Sequence, residues 1–189
     1  MEMKENFIKR IIEHKGKAVN FYCDEVLLPN GRNSTREYLD HPGASCVLPF
    51  LDENRIVLVK QYRYPIGKET FEIPAGKIDK GETPIECIKR ELKEETGYSA
   101  GKIDKVLSFS PTPAFSNEIL HIFAAFDLKQ ETKNPDEDEF LSNEIADFKT
   151  AIQMIYEGQI IDAKTIIALL YFNTAEKNIS KNDQSRWRA

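Results

Sequence analysis

Residues 76–98 of the chain read GKIDKGETPIECIKRELKEETGY, and this stretch decides the fold expected for the rest. Thr83 and Glu86 have the spacing of a capping box, in which two side chains bond the free backbone N–H groups at the start of a helix. Pro84 suits the first helical position, and Gly97 suits the left-handed position that follows the last turn. The pattern therefore predicts a helix that begins at the proline and ends just before the glycine.

The predicted helix has one apolar stripe and one acidic face. Ile85, Ile88 and Leu92 recur at helical spacing, so they are expected to face the core. Three carboxylates share a neighbouring face at positions i, i+3 and i+4, namely Glu91, Glu94 and Glu95. A solvated acidic face is one interpretation of this cluster. The other is a divalent metal site, because hard cations such as Mg²⁺ take oxygen ligands and offset the repulsion between carboxylates.

The whole stretch fits the pattern Gly-x5-Glu-x7-Arg-Glu-apolar-x-Glu-Glu-x-Gly-apolar at every fixed position, with Tyr98 a less usual last residue. It resembles the box of the Nudix hydrolases, which cleave a nucleoside diphosphate linked to another moiety. The resemblance implies an α/β fold, the Nudix α/β/α sandwich with a mixed sheet. The order of strands and helices expected for residues 44–173 agrees with that fold.

The resemblance also assigns roles to residues of the box. It implies that Mg²⁺, with Mn²⁺ as an alternative, is held by carboxylates and one main-chain carbonyl, those of Glu91, Glu94, Glu95 and Ala75. Arg90 and Glu82 would pair with each other and orient the metal-binding carboxylates. Bound divalent ions would neutralise a diphosphate and polarise an attacking water.

The segments on either side of the box indicate which activity to expect. Residues 59–64 read VKQYRY, residues 71–76 read FEIPAG and residues 112–118 read TPAFSNE. These segments resemble the ADP-ribose diphosphatase branch, although Thr112 and Ala114 replace its usual Ser and Gly. The resemblance implies Mg²⁺-dependent hydrolysis of ADP-ribose to AMP and ribose 5-phosphate. Hydrolysis of GDP-mannose or another nucleotide sugar is the alternative, and a non-catalytic nucleotide-sensing Nudix module is a further one.

Candidate substrate contacts lie outside the box. Arg63 is expected to bind phosphate, because a guanidinium fork matches phosphate oxygens; a surface arginine at a strand end is the alternative. Arg36 and Glu37 stand where the branch places residues that reach the adenosine part, or they form an exposed strand pair. An aromatic ring is expected to stack on the base, unless core packing occupies it. The candidates for that stack are Phe21, Tyr22 and Tyr64.

An acidic run at residues 136–139 (DEDE) precedes Phe140. Such a run is usually a solvated loop. In the branch that the chain resembles, however, a glutamate just before an aromatic-led strand acts as catalytic base or positions the water. Glu139 holds that place, with Glu137 as the alternative. The predicted catalytic residues are therefore Glu139, Glu95 and Glu91.

Three segments divide the chain. Residues 1–43 are expected to form a small antiparallel β element, with strands over 18–28 and 34–40. Such an element is too small to be stable alone, so it should pack on the main domain or on a second subunit. The resemblance implies that the partner is a second copy, which makes the protein a homodimer. Residues 44–173 are the expected Nudix domain, and residues 174–189 are a polar tail. Within the domain, strands are predicted over 44–51, 55–61, 70–74, 105–109 and 119–128, and the closing helices over 149–157 and 163–172.

Charge excludes some classes of function. The 189 residues include 26 basic and 31 acidic side chains, for a net charge of −5, and residues 131–144 hold that whole excess in six acids and one lysine. A non-specific nucleic-acid or anionic-membrane binder normally carries a basic excess, so neither partner is expected. The expected partner is a small nucleoside diphosphate sugar, and divalent ions reconcile it with an acidic site.

The cysteines and the N-terminal sequence predict a cytoplasmic location. The three cysteines have no metal-ligand spacing, and the N-terminus has no signal-peptide pattern. The longest apolar run, residues 166–172, is too short to span a bilayer.

Overall fold

The computed structural model describes residues 2–133 and 140–178. In these residues the chain forms ten strands and three helices. The strands are β1 (Asn6–Lys15), β2 (Asn20–Leu27), β3 (Asn33–Asp40), β4 (Ala44–Pro49), β5 (Arg55–Arg63), β6 (Lys68–Glu72), β7 (Ala75–Lys77), β8 (Tyr98–Phe109), β9 (Leu120–Gln130) and β10 (Leu141–Asp147). The helices are α1 (Pro84–Thr96), α2 (Phe148–Tyr156) and α3 (Ala163–Asn178).

The chain divides into two compact units, and the first consists of Met1–Ala44 with Ser108–Leu120. Its sheet is antiparallel, in the order β1-β2-β3. Gly31, at φ 81°, lies in the turn that joins β2 to β3, where a left-handed residue suits a tight connection. The predicted antiparallel element is present, and β1 is a strand that the sequence did not predict.

Strand β1 lacks the pattern that would reveal it. All ten of its residues are exposed, and its pairing with β2 contains two register shifts. Apolar and polar residues alternate along a strand only where one face is buried. Side-chain contacts with β2 add to the antiparallel pairing: Arg10 Nε donates to Asp24 Oδ1 over 2.8 Å, and the Arg10 guanidinium lies 3.4 Å from the centre of the Tyr22 ring.

The second unit consists of Ser45–Leu107 with His121–Ala189. The strand orders of the two sheets in its described part are β10-β5-β6 and β7-β4-β9-β8. Helix α1 packs its predicted stripe of Ile85, Ile88 and Leu92 on the four-stranded sheet, so this prediction is confirmed. The buried residues of that core are Val47, Ile88, Leu92, Phe123 and Ala125.

An aromatic cluster forms a second core of this unit. The ring of Phe50 stacks on that of Phe126, with the centroids 5.2 Å apart. It also contacts Phe148 of α2 at 6.1 Å and Phe172 of α3 at 5.2 Å. The unit is thus built from sheets with helices packed on them, which confirms the predicted α/β class.

Several elements of the second unit differ in extent from the prediction. Strand β8 begins at Tyr98, directly after α1, and not at residue 105. Helix α3 continues to Asn178, so the tail predicted from residue 174 begins as helix. The sequence did not predict β7 and β10, because β7 has only three residues and β10 has no buried residue to produce an alternating pattern. Residues 179–189 lie outside the described part.

Within the described residues, no helix combines the length and the apolar character needed to cross a membrane.

Candidate active site

Helix α1 begins and ends as predicted, which fixes where its carboxylates lie. The Thr83 side chain accepts from the backbone N–H of Glu86, and the Glu86 side chain accepts from the backbone N–H of Thr83. Gly97 ends the helix at φ 73°, in the left-handed region. These terminal contacts set the start and end of the helix, and thereby fix the face that Glu91 and Glu95 occupy.

Glu91 and Glu95 are nearly buried, with 8% and 3% of their surface exposed. The backbone N–H of Ala75 donates to Oε2 of Glu95 over 3.1 Å. A Cβ placed on Gly76 would lie only 1.7 Å from Oε1 of Glu91. The Glu91 carboxylate therefore fills the space that any other residue at position 76 would need, so β7 and α1 meet through these two carboxylates.

Arg90 joins the remaining carboxylates of the box. Its Nε and Nη2 each donate to Glu82 over 3.0 Å. Its Nη1 donates to Glu91 over 2.7 Å and to Glu94 over 3.0 Å. The bonds to Glu82 are the largest cause that raises the pKa of Arg90, and the same bonds lower the pKa of Glu82. Arg90 thus lies between three acidic side chains and holds them in fixed positions.

The donor chemistry of this face fits a hard divalent cation. Glutamate carboxylates and a main-chain carbonyl are the oxygen ligands that Mg²⁺ prefers, and the space at Gly76 admits one of those carboxylates next to the backbone. In residues 2–133 and 140–178, no three His, Cys, Asp or Glu side chains form a preassembled metal cluster. One reason that the carboxylates do not converge is that Glu91 and Glu94 each accept a hydrogen bond from Arg90.

A second charged cluster, which the sequence did not predict, surrounds Arg63 at the end of β5. Arg63 Nε and Nη2 donate to the two carboxylate oxygens of Glu72 over 2.8 and 2.7 Å. Glu72 is 2% exposed and also accepts from Thr70 Oγ1 over 2.6 Å and from Lys164 Nζ. Lys164 Nζ in turn donates to Asp162 over 2.9 Å.

The charges in this cluster stabilise one another. Burial alone would raise the pKa of Glu72, but the hydrogen bonds from Arg63 and the charge of Lys164 outweigh it and lower the pKa to about 2. Burial would lower the pKa of Lys164, but the charges of Asp162 and Glu72 raise it overall. Glu72 and Lys164 are therefore both ionised near neutral pH. The sequence pointed to this cluster only through Glu72 in the FEIPAG segment, because no local pattern connects Glu72 to Lys164.

The predicted contacts for the adenosine part lie in the first unit. Arg36 donates to Glu5, to Ser34 Oγ over 3.1 Å and to the Thr35 carbonyl over 2.8 Å. Its neighbour on β3, Glu37, is exposed. The arrangement of Arg36 is that of an exposed strand arginine, and its role toward a nucleotide stays a prediction.

The candidate aromatic residues differ in their surroundings. Tyr22 has the Arg10 guanidinium over its ring and meets the Tyr38 ring edge-on at 5.6 Å. Phe21 is half-buried on β2. Tyr64 is 87% exposed in a short 3₁₀ turn after β5, so core packing, the alternative for this residue, is wrong. The predicted bases Glu139 and Glu137 lie outside the described residues.

A family model tests the interpretation of the box. Residues 39–169 match the model of the NUDIX domain. The chain belongs to the NUDIX family. The 23 residues from which the family was predicted lie inside the matched range, so that prediction is confirmed.

Similar proteins indicate which branch of the NUDIX family the chain resembles. An ADP-ribose pyrophosphatase of Bacillus subtilis (strain 168) is 40% identical over 176 residues, which cover 92% of this chain and 95% of the relative. A methanol dehydrogenase activator of Bacillus methanolicus is 42% identical over 175 residues, with the same two coverages. A GDP-mannose pyrophosphatase of Yersinia enterocolitica is 30% identical over 88% of this chain and 93% of the relative. The predicted resemblance to the ADP-ribose branch is confirmed.

A solved structure supports the NUDIX fold. The crystal structure of an ADP compounds hydrolase matches with a TM-score of 0.81 over 92% of this chain and 95% of that chain, at 21% sequence identity. At this identity the likeness concerns the fold alone, and it confirms the predicted Nudix α/β architecture.

Proposed function

We propose that the protein hydrolyses nucleoside diphosphate sugars in a Mg²⁺-dependent reaction, with ADP-ribose as substrate and AMP and ribose 5-phosphate as products. The observation that carries the proposal is the packing of the Glu91 and Glu95 carboxylates against the backbone of residues 75–76. The ADP-ribose pyrophosphatase and the GDP-mannose pyrophosphatase among the relatives support the class of substrate.

The cation would be held by oxygens of the box and its preceding strand. The proposed ligands are the carboxylates of Glu91, Glu94 and Glu95 and the carbonyl oxygen of Ala75, which would suit Mn²⁺ as well. Bound there, the ion supplies charge neutralisation for the diphosphate and lowers the pKa of a water molecule. Arg90 with Glu82 keeps the carboxylates of the helix in place, since it bonds two of them directly.

The remaining groups bind substrate and move a proton. Arg63 would bind a phosphate oxygen, while Arg36 and Glu37 are the proposed contacts for the adenosine part. A glutamate of the acidic loop, Glu139 or Glu137, would accept a proton from the attacking water. The water oxygen bonds to one phosphorus as the bond from that phosphorus to the bridging oxygen breaks, so each product keeps one phosphate.

A substrate panel tests this function. Turnover is measured with Mg²⁺ and with Mn²⁺ on ADP-ribose, GDP-mannose, UDP-glucose and a dinucleoside polyphosphate. We expect the highest kcat/KM for ADP-ribose. A preference for GDP-mannose would replace the substrate but keep the chemistry. Binding of a nucleotide without turnover under either metal would instead indicate a sensing module.

The proposal includes a homodimer in which a second copy covers β1. Four large apolar side chains of this strand are at least 43% exposed: Phe7, Ile8, Ile11 and Ile12. Such a strand needs a partner surface, because exposed apolar edges otherwise promote aggregation. Light scattering should give twice the mass of the chain, and Ile11→Glu should reduce it to the mass of one chain. A single-chain mass for the unchanged protein would contradict the dimer.

A cytoplasmic location belongs to the same proposal. It rests on the cysteine pattern and on the class of substrate. The absence of nucleic-acid and membrane partners stays a prediction from charge.

A further inference from the structure

The guanidinium of Arg63 is held in one orientation, although its side chain is 44% exposed. The two bonds to Glu72 use Nε and Nη2, which leaves Nη1 outside the pair. An exposed arginine normally has considerable rotamer freedom, and a ligand that fixes it must offset that entropy. Arg63 has lost this freedom before any ligand binds, so it can present the remaining edge of its fork at lower cost.

Glu72 can hold Arg63 because other hydrogen bonds fix the position of its own carboxylate. Its carboxylate is buried and accepts from Thr70 and Lys164 in addition to Arg63. A lone buried carboxylate would be costly to keep ionised, and the two cations remove that cost. Lys164 therefore acts on Arg63 through the carboxylate that the two cations share.

The first turn of α3 also fixes the chain next to Glu72. Asp162 accepts from Lys164 and, over 2.6 Å, from Thr165 Oγ1. Thr165 Oγ1 in turn accepts from the backbone N–H of Ile73 over 2.9 Å, in a buried contact. The start of α3 thus holds residues 72–73, two positions before the backbone that meets the box helix.

The Arg63 cluster adjoins the box. Ala75 follows the held segment, and its N–H bonds Glu95. The charge of Glu95 is also one of the causes that raise the pKa of Arg63, after the stronger effects of Glu72 and Asp162. The arginine therefore lies within electrostatic reach of a proposed metal ligand, so a diphosphate bound beside that ligand would also be able to contact Arg63.

We infer that Glu72 and Lys164 are positioning residues, which hold Arg63 ready to bind a phosphate of the substrate. The inference rests on the proposed function and adds to it the two residues that orient Arg63, which neither the box nor the family match assigns. The box residues would then act on the reacting phosphorus, whereas the Arg63 cluster would act on substrate binding.

The test is a double-mutant cycle in kinetics with ADP-ribose, using Arg63→Ala, Glu72→Gln and the combination. We expect each single variant to raise KM about 10- to 100-fold and to change kcat less than about threefold, because a binding contact is lost and the metal ligands are intact. The combination should raise KM no further than Arg63→Ala alone, since Glu72 acts only through the arginine. A merely structural role of Glu72 would give additive losses.

Two substitutions of Lys164 extend the test, one that keeps its charge and one that removes it. Lys164→Arg keeps the charge beside Glu72, so its KM should stay within about twofold of the unchanged protein, whereas Lys164→Met removes that charge and should raise KM. Lys149→Met, an exposed lysine of α2, is the matched control. If Glu72→Gln fails to fold, Glu72→Gln/Lys164→Met replaces it, because that pair removes one charge of each sign from the buried cluster.

The outcomes separate this inference from the proposed function. If the unchanged protein turns over no member of the substrate panel, the proposed function is overturned and this inference with it. If the protein turns over substrate normally but the KM effects of Arg63→Ala and Glu72→Gln are additive, or if Glu72→Gln leaves KM unchanged, only the positioning role is overturned.

Discussion

Two arginine–glutamate pairs in this molecule share one geometry and differ in burial. In the first unit, Arg36 bonds Glu5 through Nε and Nη2, and the Glu5 side chain is 34% exposed. In the second unit, Arg63 bonds Glu72 through the same two nitrogens, and Glu72 is almost inaccessible to water. Water screens the first pair, whereas the second must be neutralised by its neighbours. The burial of the carboxylate, and not the fork geometry, therefore decides whether such a pair depends on its neighbours.

The largest expected effect concerns another buried carboxylate of the second unit. Glu95→Gln should lower kcat on ADP-ribose about a thousandfold or more, because a proposed metal ligand loses its charge. The fold should survive, since the amide oxygen can still accept from the N–H of Ala75. Steady-state kinetics with Mg²⁺ measures the loss. Glu53→Gln, at an exposed position, is the matched control and should keep full activity. Near-normal turnover of Glu95→Gln would refute the metal site.

A smaller loss of activity is expected from Gly76→Ala. The added Cβ would lie 1.7 Å from Glu91 Oε1, so the carboxylate must move and its bond to Arg90 is strained. We expect kcat to fall about 10- to 100-fold, as when the support of a metal ligand is disturbed. A parallel urea titration separates this loss from unfolding. If kcat stays within about threefold, the packing of Glu91 on the backbone has no catalytic importance.

The two arginine pairs should differ clearly in stability. Glu72→Gln should lower the free energy of unfolding by about 3 kcal/mol, because it leaves the buried Lys164 without one of its partners. Glu5→Gln should leave it nearly unchanged, since that pair is exposed to solvent. Urea denaturation at pH 7 measures both values. Equal losses in the two variants would remove the distinction based on burial.

The smallest effect is a difference in pH dependence. The pKa of Glu72 is lowered from 4.5 to about 2 in the folded protein. Its stabilisation is therefore complete above the unfolded value of about 4.5 and is lost as the pH falls toward 2. Between pH 5 and 3, Glu72→Gln should lose stability less steeply than the unchanged protein, by at most about 1.4 kcal/mol per pH unit. Parallel slopes for Glu72→Gln and the unchanged protein would contradict the depressed pKa of Glu72.

Local signals explain why α1 and its carboxylates were predictable. Thr83, Pro84 and Gly97 lie at the ends of the helix itself, and the structure confirms the cap and the apolar stripe that they predict. The box pattern led to the family because all of its fixed positions lie within one stretch of 23 residues. Short-range chemistry of this kind can be found in the sequence without knowledge of the fold.

Contacts between distant segments explain what could not be predicted. Glu72 and Lys164 are 92 positions apart, and no periodicity or cap links them. Strand β1 has no buried face, so it shows none of the alternation by which strands are recognised. The proposed bases Glu139 and Glu137 depend on the resemblance alone, since they lie outside the described residues.

The distance between Glu72 and Lys164 has a consequence for how the protein is made. The carboxylate that orients Arg63 is formed early in synthesis, but Lys164 and the threonine that ties down residue 73 are added only when the last helix is begun. A nascent chain that already contains the complete box therefore still lacks the lysine that shares the Glu72 carboxylate with Arg63. If Arg63 binds phosphate as proposed, the binding site is complete only when translation has nearly finished, and a chain that ended before residue 162 would contain the box but not the lysine that bonds Glu72.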